Sequence, residues 1–468
     1  MGQEQSSYPI VTISRRGGER IRAGHVWVYR SDVVETASAA PGSVVLVQEQ
    51  ANATSNRRAD RSVRATQILS DKNVRPTRTV PARPTRILGT ALYSSASEIA
   101  LRMISRGPVE GFHQLLRERI RAAIAYRQGF VRDTNAYRVI FSEGDFLPGL
   151  IVDRYNDILS LQVLTQAMDA ASLRDIFLEE LKLAFQPRAI VERVDARVRK
   201  LERLEERESG VIWDNMPGPQ DTTDRGATGV PPVGDYSAIN EAGADDAARG
   251  HAAPHTPLTT EFQMNGVRFL CEAFAGQKTG AFLDQRENYA AAAQYARGET
   301  LDVFCYQGGF ALHLAEQSGK VTGVDSSRPA LEIAEKNAAL NGREIEWIEA
   351  NAFDLLRDYS DAGNKYDCIV LDPPPFAKSR QNLATALRGY KELNLRALKM
   401  LKPGGILVTC SCSYHVSAPD FMEIVAAAAL DSHRIVRVLE NRGQAKDHPS
   451  VLGISETAYL KCLILAVS

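Results

Sequence analysis

The chain has 468 residues, more than one ordinary domain holds, so two or three domains are expected. Apolar residues make up 44% and charged residues 24%, the balance of a soluble globular protein able to bury a sizeable core. A net charge of -1 excludes a globally basic nucleic-acid binder, so any RNA site has to be a local basic patch.

No apolar run approaches the roughly 20 residues that span a bilayer, and Met1–Pro9 lacks the pattern of a secretion signal. A cytoplasmic protein with no membrane partner is expected. The six cysteines do not read as a disulfide framework in so long a chain. Cys271, Cys305, Cys368 and Cys462 lie in apolar surroundings that suit small buried thiols. There is no CxxC pair, so no metal site is expected.

Short strands are predicted at Ile10–Ile13, Val26–Tyr29 and Val44–Val47, the last after the Pro41-Gly42 turn. Similar runs return at Ile87–Tyr93 and Ile99–Ile104, and together they predict a small β-barrel over residues 8–106. The segment 51–86 inside it holds nine Arg and Lys against two Asp and few apolar side chains. It reads as a flexible insert, either a solvated basic loop or an RNA contact.

A helix is predicted over Val109–Phe130, with Phe112, Leu115, Leu116, Ala123 and Ile124 on one stripe. Strands at Val139–Phe141 and Leu159–Leu164, a helix over Ala171–Ala184 and a strand at Ala189–Glu192 complete a central α/β domain, 107–213. Residues 214–258, rich in Gly, Pro, Ala and Asp, read as a disordered linker.

In the last domain, 259–468, strands are predicted at Leu301–Tyr306, Val321–Val324, Ile345–Ile348, Cys368–Leu371 and Ile406–Cys410. Helices are predicted between them and over Pro419–Leu430. Such alternation predicts a doubly wound, Rossmann-like parallel sheet covered on both faces, with its ligand beyond the carboxyl ends of the strands.

The first strand runs into Tyr306-Gln307-Gly308-Gly309-Phe310, where glycine lets the backbone turn sharply and approach a ligand. It is not GxGxxG, and no Walker lysine follows. Asp325, at the end of the next strand, is placed either to accept from both ribose hydroxyls of an adenosine or to cap a helix. Asn351 can accept from an adenine amino group and Phe353 can pack on its ring; the alternative is a capping Asn with a core Phe. The fourth strand ends in Asp372-Pro373-Pro374-Pro375-Phe376, where the prolines fix the backbone and Asp372 and Phe376 can face a flat base. This is the most specific feature of the chain.

The runs Lys278-Thr279-Gly280-Ala281-Phe282-Leu283-Asp284-Gln285-Arg286, Tyr306–Phe310, Asp372–Phe376 and Ser411-Cys412-Ser413 resemble the RlmI family of 23S ribosomal RNA cytosine-5 methyltransferases. Arg388–Glu392, Asp447-His448-Pro449, Gly24–Val28 and Leu147–Tyr155 also look like family positions. Pro375 stands where many members carry Lys, and Asn351 where several carry Asp. The resemblance covers nearly the whole chain except the insert and the linker. It implies a PUA-like RNA-binding barrel at the N-terminus and a methyltransferase domain that binds S-adenosyl-L-methionine through Tyr306, Gly308, Gly309, Asp325, Asn351, Phe353, Gln285 and Asp372.

It also implies a chemistry. A thiolate adds to carbon 6 of cytosine, carbon 5 becomes enamine-like and takes the methyl group, and loss of the carbon-5 proton expels the thiolate. Cys412 matches the family's Ser-Cys-Ser position and is the expected nucleophile; Cys410 would alternate onto another face if the strand continues that far. Asp372 would hold the cytosine edge. No second cysteine follows Pro374, so the base for the last proton is unassigned. Gln285 and Arg286 are candidates for the methionine carboxylate or the RNA backbone, with a surface salt bridge as the alternative for Arg286. The expected partner is 23S ribosomal RNA, offered as an accessible or flipped nucleotide, and a homodimer is a further expectation. Amino methylation of a base or protein side chain, and a non-catalytic RNA-binding assembly factor, are the competing functions.

Overall fold

The computed structural model describes residues 8–51, 86–215, 258–274, 281–377 and 382–468. The basic insert, the linker and the motif residues Lys278, Thr279 and Gly280 lie outside the described residues or at their margins.

The first unit holds β1 (Ile10–Ile13), α1 (Arg15–Arg22), β2 (Trp27–Tyr29), β3 (Val33–Glu35), β4 (Val44–Glu49), β5 (Ile87–Tyr93) and β6 (Ile99–Ser105). Its sheet order is β2-β6-β5-β4-β1-β3. The two end strands, β2 and β3, are consecutive in the chain, and the three residues between them span at most roughly 14 Å. The sheet therefore curls back on itself, closing a barrel around Val11, Ile13, Val28, Val45, Val47 and Leu101. Helix α1 was not predicted: its only large apolar residue is Ile21, and Ser14 starts it by accepting from the Gly17 N–H at 3.1 Å.

The second unit holds α2 (Phe112–Phe130), β7 (Ala136–Phe141), β8 (Leu150–Tyr155), β9 (Ile158–Val163), α3 (Ala171–Phe185), β10 (Ala189–Glu192), α4 (Ala196–Glu202) and β11 (Gly210–Asp214), with sheet order β11-β10-β9-β8-β7. The apolar stripe of α2 packs with α3 over that sheet. A hairpin follows, β12 (Thr259–Met264) and β13 (Val267–Glu272). Strand β12 buries alternate residues and stacks Phe262 on Phe269 at 5.5 Å.

The last unit runs α5 (Arg286–Ala293), β14 (Glu299–Val303), α6 (Gly309–Leu314), β15 (Lys320–Asp325), α7 (Arg328–Leu340), β16 (Glu346–Glu349), α8 (Ala352–Ala362), β17 (Tyr366–Leu371), α9 (Leu383–Met400), β18 (Leu401–Ser411), α10 (Ala418–Asp431), β19 (Val436–Arg442) and β20 (Lys461–Val467). Its sheet order is β16-β15-β14-β17-β18-β20-β19. The order reverses between β14 and β17, the switch point at which ligands bind in such sheets.

The doubly wound parallel sheet expected from the sequence is formed by β14 to β18, with an antiparallel addition at one edge. Strand β20 runs antiparallel to both β18 and β19, so the sheet is mixed. No α-helix separates β19 from β20, and that is why the antiparallel return is possible.

Candidate active site

Strand β14 leads into a loop in which Phe304 (φ 66°) and Tyr306 (φ 51°) are left-handed, a conformation that costs non-glycine residues on the order of 1 kcal/mol or more. Two carboxylates hold it there. The Tyr306 N–H donates to Asp325 Oδ2 at 2.9 Å, and the Ala311 N–H of α6 donates to Asp302 Oδ2 at 2.8 Å. Gly308 (φ 84°) then begins α6; a Cβ there would lie 2.8 Å from the Trp347 ring. Glycine is needed at this turn for both conformation and space.

Asp325 is not a helix cap. The cap of α7 is Ser327, while Asp325 Oδ1 accepts from the Ser327 N–H at 2.9 Å. These bonds aim the carboxylate beyond the end of β15 and leave each oxygen a lone pair. Asp302, which sequence reasoning missed, is fully buried; burial pushes its carboxyl up to about 8, and Asp372 and Asp325 add to the effect. Its only sign in the sequence is an acid within the otherwise apolar run Leu301–Cys305.

Asn351 is the cap of α8. Its Oδ1 accepts from the Phe353 N–H at 2.9 Å and the Asp354 N–H at 3.3 Å. Phe353 is no core residue: it is 37% exposed and begins an aromatic row to Phe376 (5.8 Å between centroids) and Tyr390 (4.8 Å).

Asp372 follows β17, and its N–H donates to Val303 O at 3.3 Å, which ties it to the end of β14. Burial pushes its carboxyl up to about 7, the Asp284 charge adds to this, and a hydrogen bond from Gln285 Nε2 at 3.0 Å opposes it. Gln285 is buried and oriented in turn: Asn288 Nδ2 donates to its Oε1 at 2.6 Å, and Arg442 Nε donates to Asn288 Oδ1 at 2.9 Å. A relay thus runs from β19 to Asp372.

Strand β18 continues to Ser411. Cys410 pairs across the ladder with Cys462 of β20 and is fully buried; burial, and next Cys462, push its thiol well above the ordinary value. Cys412 lies just past the strand, half-buried, with Sγ 3.8 Å from Pro373 O. Alternation along the strand does not part the two cysteines, since residues two apart share a face. The strand ends at Ser411, leaving Cys412 beside the proline run while Cys410 stays buried in the core near Gln285.

The two expectations for Arg286 are both corrected. Its side chain is buried, 2% exposed, and Nη2 lies 3.1 Å from Asp447 Oδ1, so it is neither a surface salt bridge nor open to ligand or RNA. Burial pushes Asp447 up, but His448 and Arg286 outweigh this and hold its carboxyl well below the usual range. Asp447 Oδ2 also accepts from the Arg138 N–H at 2.8 Å, and its carbonyl accepts from Arg127 Nη2 at 2.7 Å.

Carboxylates at the ends of β14, β15 and β17, beside a glycine-started helix and an open aromatic face, suit a cationic nucleoside such as S-adenosylmethionine. Together with the doubly wound sheet they define the chain as a methyltransferase dependent on that cofactor. Residues 243–465 match the family model described as S-adenosylmethionine-dependent methyltransferase, and residues 11–54 match that of a PUA-like domain. Ribosomal RNA large subunit methyltransferase I of Aeromonas hydrophila is 39% identical over 354 residues, 74% of this chain and 79% of that one. The protein of the same name from Shewanella denitrificans is 36% identical, over 83% and 89% of the two chains. The chain belongs to the ribosomal RNA large subunit methyltransferase I family. Among solved structures, SMU.776, described as a methyltransferase and crystallised with SAH, shares the fold with a TM-score of 0.70 at 15% identity over 98% of this chain and 100% of that one. A Streptococcus mutans structure described as a SAM-dependent methyltransferase gives 0.68 at 16% identity over the same shares. Among the described residues no helix is long and apolar enough to cross a membrane, and no cluster of side chains could hold a metal ion.

Proposed function

We propose that this enzyme methylates carbon 5 of a cytosine in 23S ribosomal RNA, with Cys412 adding to carbon 6 of the ring. The observation that carries this reading is the half-buried Cys412 thiol, whose Sγ lies 3.8 Å from the carbonyl of Pro373, the residue directly after Asp372. A base methylated on an amino group needs no thiol there. The relatives' names, which specify the large ribosomal subunit, supply the class of RNA.

Bound in this cleft, S-adenosylmethionine supplies an electrophilic methyl group on a sulfonium. Asp325 would take its ribose, Phe353 and Asn351 its adenine, and Tyr306, Gly308 and Gly309 would line its path, with Gln285 and Asp372 closing the far side. Phe376 would face the cytosine. Attack by the Cys412 sulfur on carbon 6 sends an electron pair into the ring, toward nitrogen 3. Asp372, its carboxyl raised by burial to about 7, would share a proton with that nitrogen and so stabilise the adduct.

RNA carrying 5-fluorocytosine tests the reading, because fluorine cannot leave as a proton does and the adduct stays covalent. The wild-type enzyme should form a complex stable to denaturing electrophoresis. Cys412→Ala should form none, lose activity by on the order of a thousandfold or more, and still bind S-adenosylmethionine in calorimetry. Full activity in Cys412→Ala would overturn the assignment, and amino methylation would then be the better reading.

A further inference from the structure

Strand β20 brings a buried charge beside the segment that carries Cys412. Lys461, the first residue of β20, is only 8% exposed. Its Nζ donates to Ser413 O and to Tyr459 O, each at 2.8 Å. Both acceptors are neutral carbonyls, and Ser413 is the residue directly after Cys412. In the ladder Lys461 stands opposite Ser411, directly before it. The lysine therefore braces the backbone on both sides of the cysteine, and a buried ammonium without an anion is costly.

The groups around it leave one candidate for that anion. The Tyr390 hydroxyl, from α9, and Tyr459 are kept neutral by burial. The Asp284 carboxylate accepts the Tyr459 hydroxyl at 2.6 Å, and Asp372 accepts from Gln285. Burial lowers Lys461 to about 8, and the one charge that opposes this is Cys412.

We propose that Lys461 and Cys412 form an ammonium–thiolate pair, with the lysine acting as the positioning residue that arms the nucleophile. The S–H bond breaks with its electron pair on sulfur, and the proton forms a new N–H bond on the neutral amine, so net charge is unchanged. Burial brings this amine down to about 8, into the range in which a free thiol titrates, about 8.5. When the adduct collapses, the sulfur leaves as a thiolate beside the same cation.

The inference rests on Cys412 being the nucleophile of the proposed reaction, but its test needs no RNA. Full-length protein is alkylated with iodoacetamide across a pH series, and modification of Cys412 is followed by peptide mass. The other five cysteines are buried, and Cys412→Ala gives the background. Wild-type Cys412 should react with a midpoint below that of a free thiol, about 8.5. Lys461→Met should slow alkylation near neutral pH about tenfold, and Lys461→Arg should restore most of it. An ordinary wild-type midpoint, or a folded Lys461→Met with an unchanged profile, would reduce Lys461 to a structural brace and overturn the proposal. The wild-type midpoint decides the matter even if Lys461→Met does not fold. Loss of the fluorocytosine adduct with the alkylation shift intact would instead sink the cytosine-5 reading and leave the ion pair standing.

Discussion

Whether Asp372 acts as an acid or as a simple acceptor depends on what touches its two oxygens. Burial and Asp284 favour its protonated form, while the Gln285 amide favours the carboxylate. Gln285→Leu keeps the volume and removes the donor, so the protonated form should persist to higher pH. If that form serves the adduct, the alkaline fall of kcat/KM, set near 7 in the wild type, moves upward in the variant. A pH–rate profile checks this, and an unmoved alkaline limb would take Asp372 out of the acid role. The Asp372–Phe376 run was legible in the sequence because three prolines after an acid are rare outside a shaped site. Gln285's bond to Asp372 was not, since its partner lies 87 positions away.

At the scale of elements, helix α8 joins stability to cofactor binding through one residue. Asn351 caps it, so Asn351→Ala should cost about 1 kcal/mol in urea unfolding. Asn351→Asp should keep the cap, because a carboxylate accepts from the same two N–H groups. If the side chain also reaches adenine, calorimetry should show weaker S-adenosylmethionine binding in Asn351→Ala beyond what the stability loss explains. The sequence offered both roles, and the fold makes the first a fact without removing the second. Strand periodicity alone would put Cys410 and Cys412 on one face; what parts them is the end of β18 at Ser411 and the pairing of Cys410 with Cys462, neither of which a local pattern encodes. Lys461 escaped notice for the same reason. Its place opposite Ser411 comes from antiparallel pairing across 50 residues, and no local pattern encodes that register. Helix α1 was missed because its two glycines and four arginines hide the helical stripe.

On the scale of the whole molecule, Asp447 ties two units together. Its carboxylate meets Arg286 of α5 and the Arg138 N–H of β7, and its carbonyl meets Arg127 of α2. Removing its carboxylate strands the buried Arg286 guanidinium and the Arg138 N–H, so Asp447→Ala should cost about 3–5 kcal/mol, read by denaturant unfolding of the full chain. Its carboxyl is depressed in the folded state, so this stability is present above the unfolded value of about 3.9 and is lost as the pH falls below it. The difference between wild type and variant should therefore shrink on acidification; a constant difference would argue against a charge role. The sequence marked Asp447-His448-Pro449 as a family position but assigned it no task, because its partners come from other units. The barrel adds its own contacts: Trp27 Nε1 donates to Glu143 at 3.1 Å, and His25 lies 3.3 Å from Glu456. Strand β20, finally, is made after β18 and β19, yet it is inserted between them. During translation, then, β18 waits with an open edge and Cys412 waits without its lysine. If the two side chains pair as proposed, the thiol gains its cation only once β20 has been inserted between β18 and β19.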